Sequence, residues 1–129
     1  MVPEQQPEPS RPVVLVVDDE VLVRMMLADV LDDAGFKVVE AAHADEALRV
    51  LSACDHIRGV VTDVEMPRGS MNGFQLAQRI KQLNRRVGVL VISGRAAPRA
   101  DELPEGGMFL TKPVHTGTLV RVLRSLLAA

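Results

Sequence analysis

Short runs rich in Val, Ile and Leu stand at Val13 to Val17, Lys37 to Glu40, Gly59 to Thr62, Val87 to Ile92 and Met108 to Leu110. Runs this short, most of them apolar without alternation, predict strands buried on both faces, as in a parallel sheet. Between them apolar residues recur at helical spacing. The first connection has Val23, Met26, Leu27, Val30, Leu31 and Ala34, the second Ala44, Ala47, Leu48 and Leu51, the third Leu76, Ala77, Ile80 and Leu83. Gly35 follows the first helix where a left-handed cap is expected. The last stretch repeats the spacing with Leu119, Val122, Leu123, Leu126 and Leu127, and Thr116 is its expected N-cap. The connection from Gly94 to Gly107 differs, because two prolines and three glycines leave room for one or two helical turns. A short or irregular fourth helix is expected there. The alternation as a whole predicts an α/β fold, a parallel sheet flanked by helices.

The 129 residues suit one domain. Residues 1–12, with four prolines among Glu and Gln and no apolar period, are expected to be a disordered lead-in, and residues 13–129 the folded domain. Apolar residues make up 47% and charged residues 25% of the chain, as in a globular protein. With no Trp, no Tyr and a net charge of −2, it offers neither stacking platforms nor a basic footprint for nucleic acid. No membrane partner is expected either, since no apolar run approaches the roughly 20 residues of a span. The N-terminus lacks a basic-then-apolar signal pattern. Cys54, the single cysteine, excludes an internal disulfide and a cysteine-based metal cluster. A cytoplasmic location is expected. His43, His56 and His115 lack metal-ligand spacing and are expected at the surface.

In an open parallel α/β sheet, ligands bind beyond the carboxyl ends of the strands. The first strand ends in Asp18, Asp19 and Glu20, the third in Asp63, the fourth in Ser93, and the fifth in Thr111 and Lys112. Singly, each has a plain structural explanation: an Asp caps a helix, a strand-end Ser turns the chain, a Lys is solvated. Their conjunction on one rim points to chemistry instead, and an ionised Asp63 behind Val60 and Val61 needs a partner. Three neighbouring carboxylates repel, so without a cation one takes up a proton or the site is strained. A divalent ion resolves the conflict, and oxygen-only ligands in a partly open site suit Mg²⁺. A carboxylate beside a metal and a lysine is equipped to attack phosphorus and form an acyl phosphate, with Ser93 donating to the transferred group.

The fragments VLVVDDE, VVTDVEMP, VLVISG and FLTKP, in this order between about Val13 and Leu127, resemble the receiver domains of response regulators of the chemotaxis-regulator type. The resemblance implies a flavodoxin-like, doubly wound sheet of five parallel strands in the order 2-1-3-4-5, serving a two-component system or phosphorelay. It implies Asp63 as phosphoacceptor, Asp19 as a direct Mg²⁺ ligand, Asp18 as a ligand acting largely through water, and the Glu65 backbone carbonyl as a further ligand. Ser93 would follow the phosphoryl group and Lys112 would pair with it. Phe109 falls at the family's aromatic switch position, although a plain core residue fits that place equally. The Lys112–Pro113 bond is implied to be cis. Glu65 and Arg95 stand where the family places a gate over the acyl phosphate; as solvated side chains their pairing is worth roughly 0 to 1 kcal/mol.

The implied partners are a histidine kinase or histidine phosphotransfer protein and a downstream protein, with the chain a monomer or weak homodimer that turns over no external substrate. Two departures stand out. MPRGSMNG carries two more residues between Pro67 and Gly73 than the commonest pattern, which lengthens the loop beside the acceptor. The shortened fourth connection lies on the face that many receivers use for output.

Rival readings fit less well. A haloacid-dehalogenase-like phosphatase places its nucleophile on the first strand in a D-x-D pattern, whereas Asp18 and Asp19 are adjacent. A flavodoxin-like electron carrier needs a hydroxyl- and glycine-rich phosphate loop, and VVDDEVLV would repel that phosphate. The alternative from another class is a receiver fold used as a phosphorylation-independent interaction module. The intact acidic, hydroxyl and lysine positions argue against it.

Overall fold

A computed structural model of the protein describes residues 11–94, 98–99 and 101–128. Among these residues five strands, β1 (Val13–Val17), β2 (Lys37–Ala41), β3 (Ile57–Asp63), β4 (Gly88–Ser93) and β5 (Met108–Thr111), are joined with four helices, α1 (Val21–Asp33), α2 (Ala44–Ala53), α3 (Gly73–Leu83) and α4 (Thr116–Ala128). Every neighbouring pair is parallel, in the order β2-β1-β3-β4-β5. This is the doubly wound arrangement that the alternation and the resemblance implied.

Because successive strand residues point to opposite faces, the central strands feed two cores. Leu15, Val17, Val60, Val89 and Val91 join the cluster completed by α2 and α3, whereas Val14, Val16, Val61, Leu90 and Ile92 join the one completed by Leu31 of α1 and Leu119, Leu123 and Leu127 of α4. The close approach of α4 depends on glycine beneath it. A Cβ on Gly59 would come within 2.8 Å of Leu127, and one on Gly88 within 2.7 Å of Leu126.

Helix ends follow local chemistry. Gly35 takes φ 101°, and the N–H groups of Gly35 and Phe36 donate to the carbonyls of Asp32 and Leu31, both at 3.0 Å. That pair of bonds closes α1 as expected of a left-handed cap. α3 opens on a capping box between Asn72 and Gln75. Two histidines also cap helices: Nδ1 of His43 accepts from the Glu46 N–H and Nδ1 of His115 from the Gly117 N–H, each at 3.2 Å. His115 therefore takes the capping place expected of Thr116, which is the first residue of α4. His56 and His115 are exposed and His43 is half-buried.

Met26 and Leu83, expected on inward faces, are exposed. The residues of α1 are apolar on most of its circumference, so period alone did not show which face turns to the sheet. The connection between β4 and β5 is irregular, and its described residues form turns and no helix. Gln78 of α3 holds it, donating to the carbonyls of Asp101 and Glu102 at 3.3 and 3.2 Å. Residues 95–97 and 100 lie outside the described residues, as do residues 1–10 of the expected lead-in. Pro12 is already tied to the sheet, its carbonyl accepting from the Lys37 N–H at 2.9 Å. Among the described residues, no helix is long and apolar enough to cross a membrane.

Candidate functional site

Strand register brings the polar residues together. Val17 pairs with Thr62, Asp63 with Ile92, and Ser93 with Thr111. Asp18, Asp63, Ser93 and Lys112 therefore stand on one rim, because each parallel strand ends at the same edge. Asp18, Asp63 and Ser93 are each 6% exposed or less. Asp19 is half-buried and the Glu65 side chain is exposed.

Asp63 is held from two sides. Its Oδ1 accepts from the Val64 N–H at 2.9 Å and lies 3.1 Å from the Lys112 ammonium. Among the described residues, no hydrogen bond ends on its second oxygen. The Thr62 hydroxyl donates to the Asp63 carbonyl at 2.8 Å, and the Lys112 N–H to the Ser93 carbonyl at 2.8 Å. The Lys112–Pro113 bond is cis, as implied. Burial pulls the Lys112 pKa down, but the hydrogen bond and charge of Asp63, with the charges of Asp18 and Glu20, outweigh it and hold the ammonium above the ordinary lysine value.

Asp18 shapes the turn into α1. Its Oδ1 accepts from the Glu20 N–H at 2.9 Å, and Glu20 occupies the N-cap position without a side-chain bond of its own. Oxygens of Asp18, Asp19 and Asp63 lie within 4.8 Å of one another. Burial raises the Asp18 pKa, and the charge of Asp63 adds to the rise against the lowering by the Glu20 hydrogen bond. The folded site thus disfavours the ionised form of Asp18 relative to an ordinary aspartate. An acid whose pKa is raised by folding contributes stability at low pH, which is lost as pH climbs from the ordinary aspartate value through the raised one. The chain in chelator should lose stability across that window, and Asp18→Asn should raise its melting temperature at neutral pH. Thermal melts against pH check this; equal melting of variant and wild type at neutral pH would contradict it.

Three contributors to the site went unmarked by the sequence. Phe109 stacks on Phe74 of α3 with ring centroids 6.2 Å apart and planes inclined by 17°. Phe74 is buried, so Phe109 faces inward; the scarcity of aromatics, three Phe in the chain, was the available signal. Gly73 passes so close that a Cβ would stand 2.1 Å from the Asp63 carbonyl oxygen. Arg24, a lone cation in the apolar stretch VLVRMML, donates to the Asp18 carbonyl at 2.9 Å. The lengthened loop after Asp63 is anchored at Ser70, whose hydroxyl and N–H donate to the Asp45 carboxylate at 2.5 and 3.0 Å. Those bonds hold the Asp45 carboxyl below the ordinary range. Arg95, the second half of the expected gate, lies outside the described residues. A groove of about 500 Å³ leads from Asp18, Asp63 and Lys112 past Met26, Leu27 and Leu119.

The chain matches the response regulator receiver domain family over residues 14–124 and belongs to that family. It is 38% identical over 113 residues to the sensor histidine kinase RcsC of Escherichia coli K12, which covers 85% of this chain and 12% of RcsC. It is 32% identical over 121 residues to the two-component response regulator ORR3 of Oryza sativa, which covers 90% of each. The structure of a response regulator receiver domain protein from Clostridium thermocellum matches with a TM-score of 0.81 at 27% identity, over 91% of this chain and 94% of that one. The chain spans 12–14% of the length of the sensor kinases it matches. Receiver domains are signalling domains of two-component systems, and that is the class to which this chain belongs.

Proposed function

We propose that this chain takes a phosphoryl group from a phosphohistidine onto Asp63 in the presence of Mg²⁺ and thereby switches a protein–protein interaction. The observation carrying this reading is the single rim where Lys112 lies 3.1 Å from Asp63 and three carboxylates lie within 4.8 Å of one another. An oxygen of Asp63 attacks phosphorus, the P–N bond breaks with its electron pair staying on the donor imidazole, and an acyl phosphate remains. Lys112 offers the transferred group a fixed positive charge and Ser93 a hydroxyl donor. Asp18, Asp19 and Asp63, an all-oxygen set with Glu65 adding its carbonyl, fit Mg²⁺. When bound, the ion neutralises clustered carboxylates and phosphoryl oxygens. The new charge biases Ser93, Lys112 and Phe109, whose stack on Phe74 is the packed position from which a switch departs. No external substrate is turned over, and the setting is the cytoplasm.

The donor is a histidine kinase or phosphotransfer protein, in keeping with the likeness to the sensor histidine kinase RcsC. α1 supports a place for it. Val21, Leu22, Met25 and Met26 are between 51% and 76% exposed, and Met26 lines the groove that ends at Asp63 and Lys112. An apolar patch of this kind is the face a partner helix covers.

Incubation with a small-molecule phosphodonor and Mg²⁺ should add one phosphoryl group to the intact mass. A chain unmodified by any donor would leave the interaction-module reading in its place. Leu22→Glu should slow transfer from the protein donor by about tenfold, roughly 1.4 kcal/mol, and leave small-molecule uptake unchanged. Equal slowing with both donors would remove α1 as the docking face.

A further inference from the structure

The acidic turn between β1 and α1 must present Asp18 and Asp19 beside Asp63, although all three side chains carry the same sign of charge. What holds it in that form is partly backbone. The Asp18 N–H donates to the Ala41 carbonyl at 3.2 Å, and the Glu20 N–H to Asp18 Oδ1 at 2.9 Å. A further tie is a side chain. Arg24 lies one helical turn beyond Glu20, its N–H donating to the Glu20 carbonyl at 2.9 Å. Its guanidinium bends back, with Nη1 donating to the Asp18 carbonyl at 2.9 Å and Nε to Glu40 Oε1 at 3.1 Å. Glu40 stands on β2 opposite Val16, beside the residue that receives the Asp18 N–H. The Arg24 side chain is 16% exposed, low for an arginine.

From this geometry we infer that Arg24 is a positioning residue for the metal site: it staples the acidic turn to the end of β2 and holds it in the shape that receives Mg²⁺. The inference rests on the proposed reading of Asp18, Asp19 and Asp63 as a Mg²⁺ site. Arg24 touches a backbone carbonyl, not the three carboxylates, so its effect on the ion is indirect. The planar guanidinium suits the task because two of its N–H groups reach two acceptors on different elements at once. A lysine ammonium at the same place would be a point charge on a flexible stem, and it would hold the two acceptors less well.

Two simpler roles predict different results. If Arg24 were merely a nearby positive charge, its removal would make the site more negative and strengthen Mg²⁺ binding. If it were merely structural, its removal would lower the melting temperature equally with and without the ion. Loss of positioning instead weakens binding, because the free turn relaxes under its own repulsion and must be reordered when the ion arrives. Partners that orient metal ligands typically change affinity by about 10- to 100-fold when removed.

The experiment is calorimetric titration of the full chain with MgCl₂, paired with thermal melts in chelator and in saturating MgCl₂. Arg24→Met is expected to weaken binding about tenfold and to shrink the rise in melting temperature that Mg²⁺ produces. Arg24→Lys should recover part of both. Glu40→Gln, which keeps an acceptor but removes the charge, should weaken binding about two- to threefold, and it carries the test if Arg24→Met fails to fold. Unchanged or tighter binding by Arg24→Met, or by Glu40→Gln where that variant stands in, overturns the inference alone. A wild-type chain that binds no Mg²⁺ overturns the metal-site reading and the inference with it.

Discussion

Asp63→Asn will take up no detectable phosphoryl group from any donor and will keep its fold. The carboxamide has nearly the shape of the carboxylate, and its oxygen still accepts from the Val64 N–H at the place now held by Oδ1. What it loses is nucleophilicity, since the amide lone pair is delocalised and no carboxylate oxygen remains to attack phosphorus. Two electrostatic effects of the substitution oppose each other. Removing one partner of a buried ion pair costs about 3–5 kcal/mol, but the Lys112 side chain is 34% exposed and regains water, so the cost here falls well below that. Loss of the Asp63 charge also removes one cause of the raised Asp18 pKa, which offsets part of the remainder. Intact mass after treatment with a phosphodonor and Mg²⁺, with thermal melts alongside, measures both outcomes. A variant that still gains the phosphoryl mass would place the acceptor elsewhere.

Gly73→Ala is expected to damage stability and phosphoryl uptake together. The added Cβ would stand 2.1 Å from the Asp63 carbonyl oxygen, 2.8 Å from its carbon and 2.9 Å from the Val64 Cα. All three are backbone atoms, so no rotamer relieves the clash and either β3 or the start of α3 must move. Overpacking of this kind costs about 1–3 kcal/mol, and a neighbour that cannot rotate puts the variant at the upper end. The displacement falls on the proposed phosphoacceptor, where a shift of about 1 Å is expected to lower the rate on the order of 100-fold. Gly59→Ala is the control, because its Cβ would meet the Leu127 side chain at 2.8 Å, and a leucine has other rotamers. That variant should lose less stability and keep its phosphorylation rate. Denaturant unfolding and timed phosphorylation of both variants decide the matter; a Gly73→Ala chain with wild-type stability and rate would show that the contact is not limiting.

The strands and helices were legible in the sequence because each is a local pattern: continuous apolar runs for β1, β3 and β4, and helical spacing for α2, α3 and α4. The rim of polar residues was legible for a related reason. Once parallel strands are inferred, topology alone brings their last residues to one edge, so Asp18, Asp63, Ser93 and Lys112 met without any knowledge of packing. The limits appear where a contact joins elements distant in the chain. Helical period placed Met26 and Leu83 inward, but which face of α1 turns to the sheet depends on how that helix packs, and the end of α3 extends beyond the core. Thr116 looked like a cap because it is a hydroxyl before a helical pattern, yet the chain starts the helix one residue earlier and His115 accepts instead. Arg24 reaches Glu40 across sixteen residues, Phe74 meets Phe109 from another element, and Gly73 fits against the Asp63 backbone. Each of these needs register and interatomic distance, which tertiary packing alone supplies, because a one-dimensional pattern records which face a residue shares and not what stands opposite.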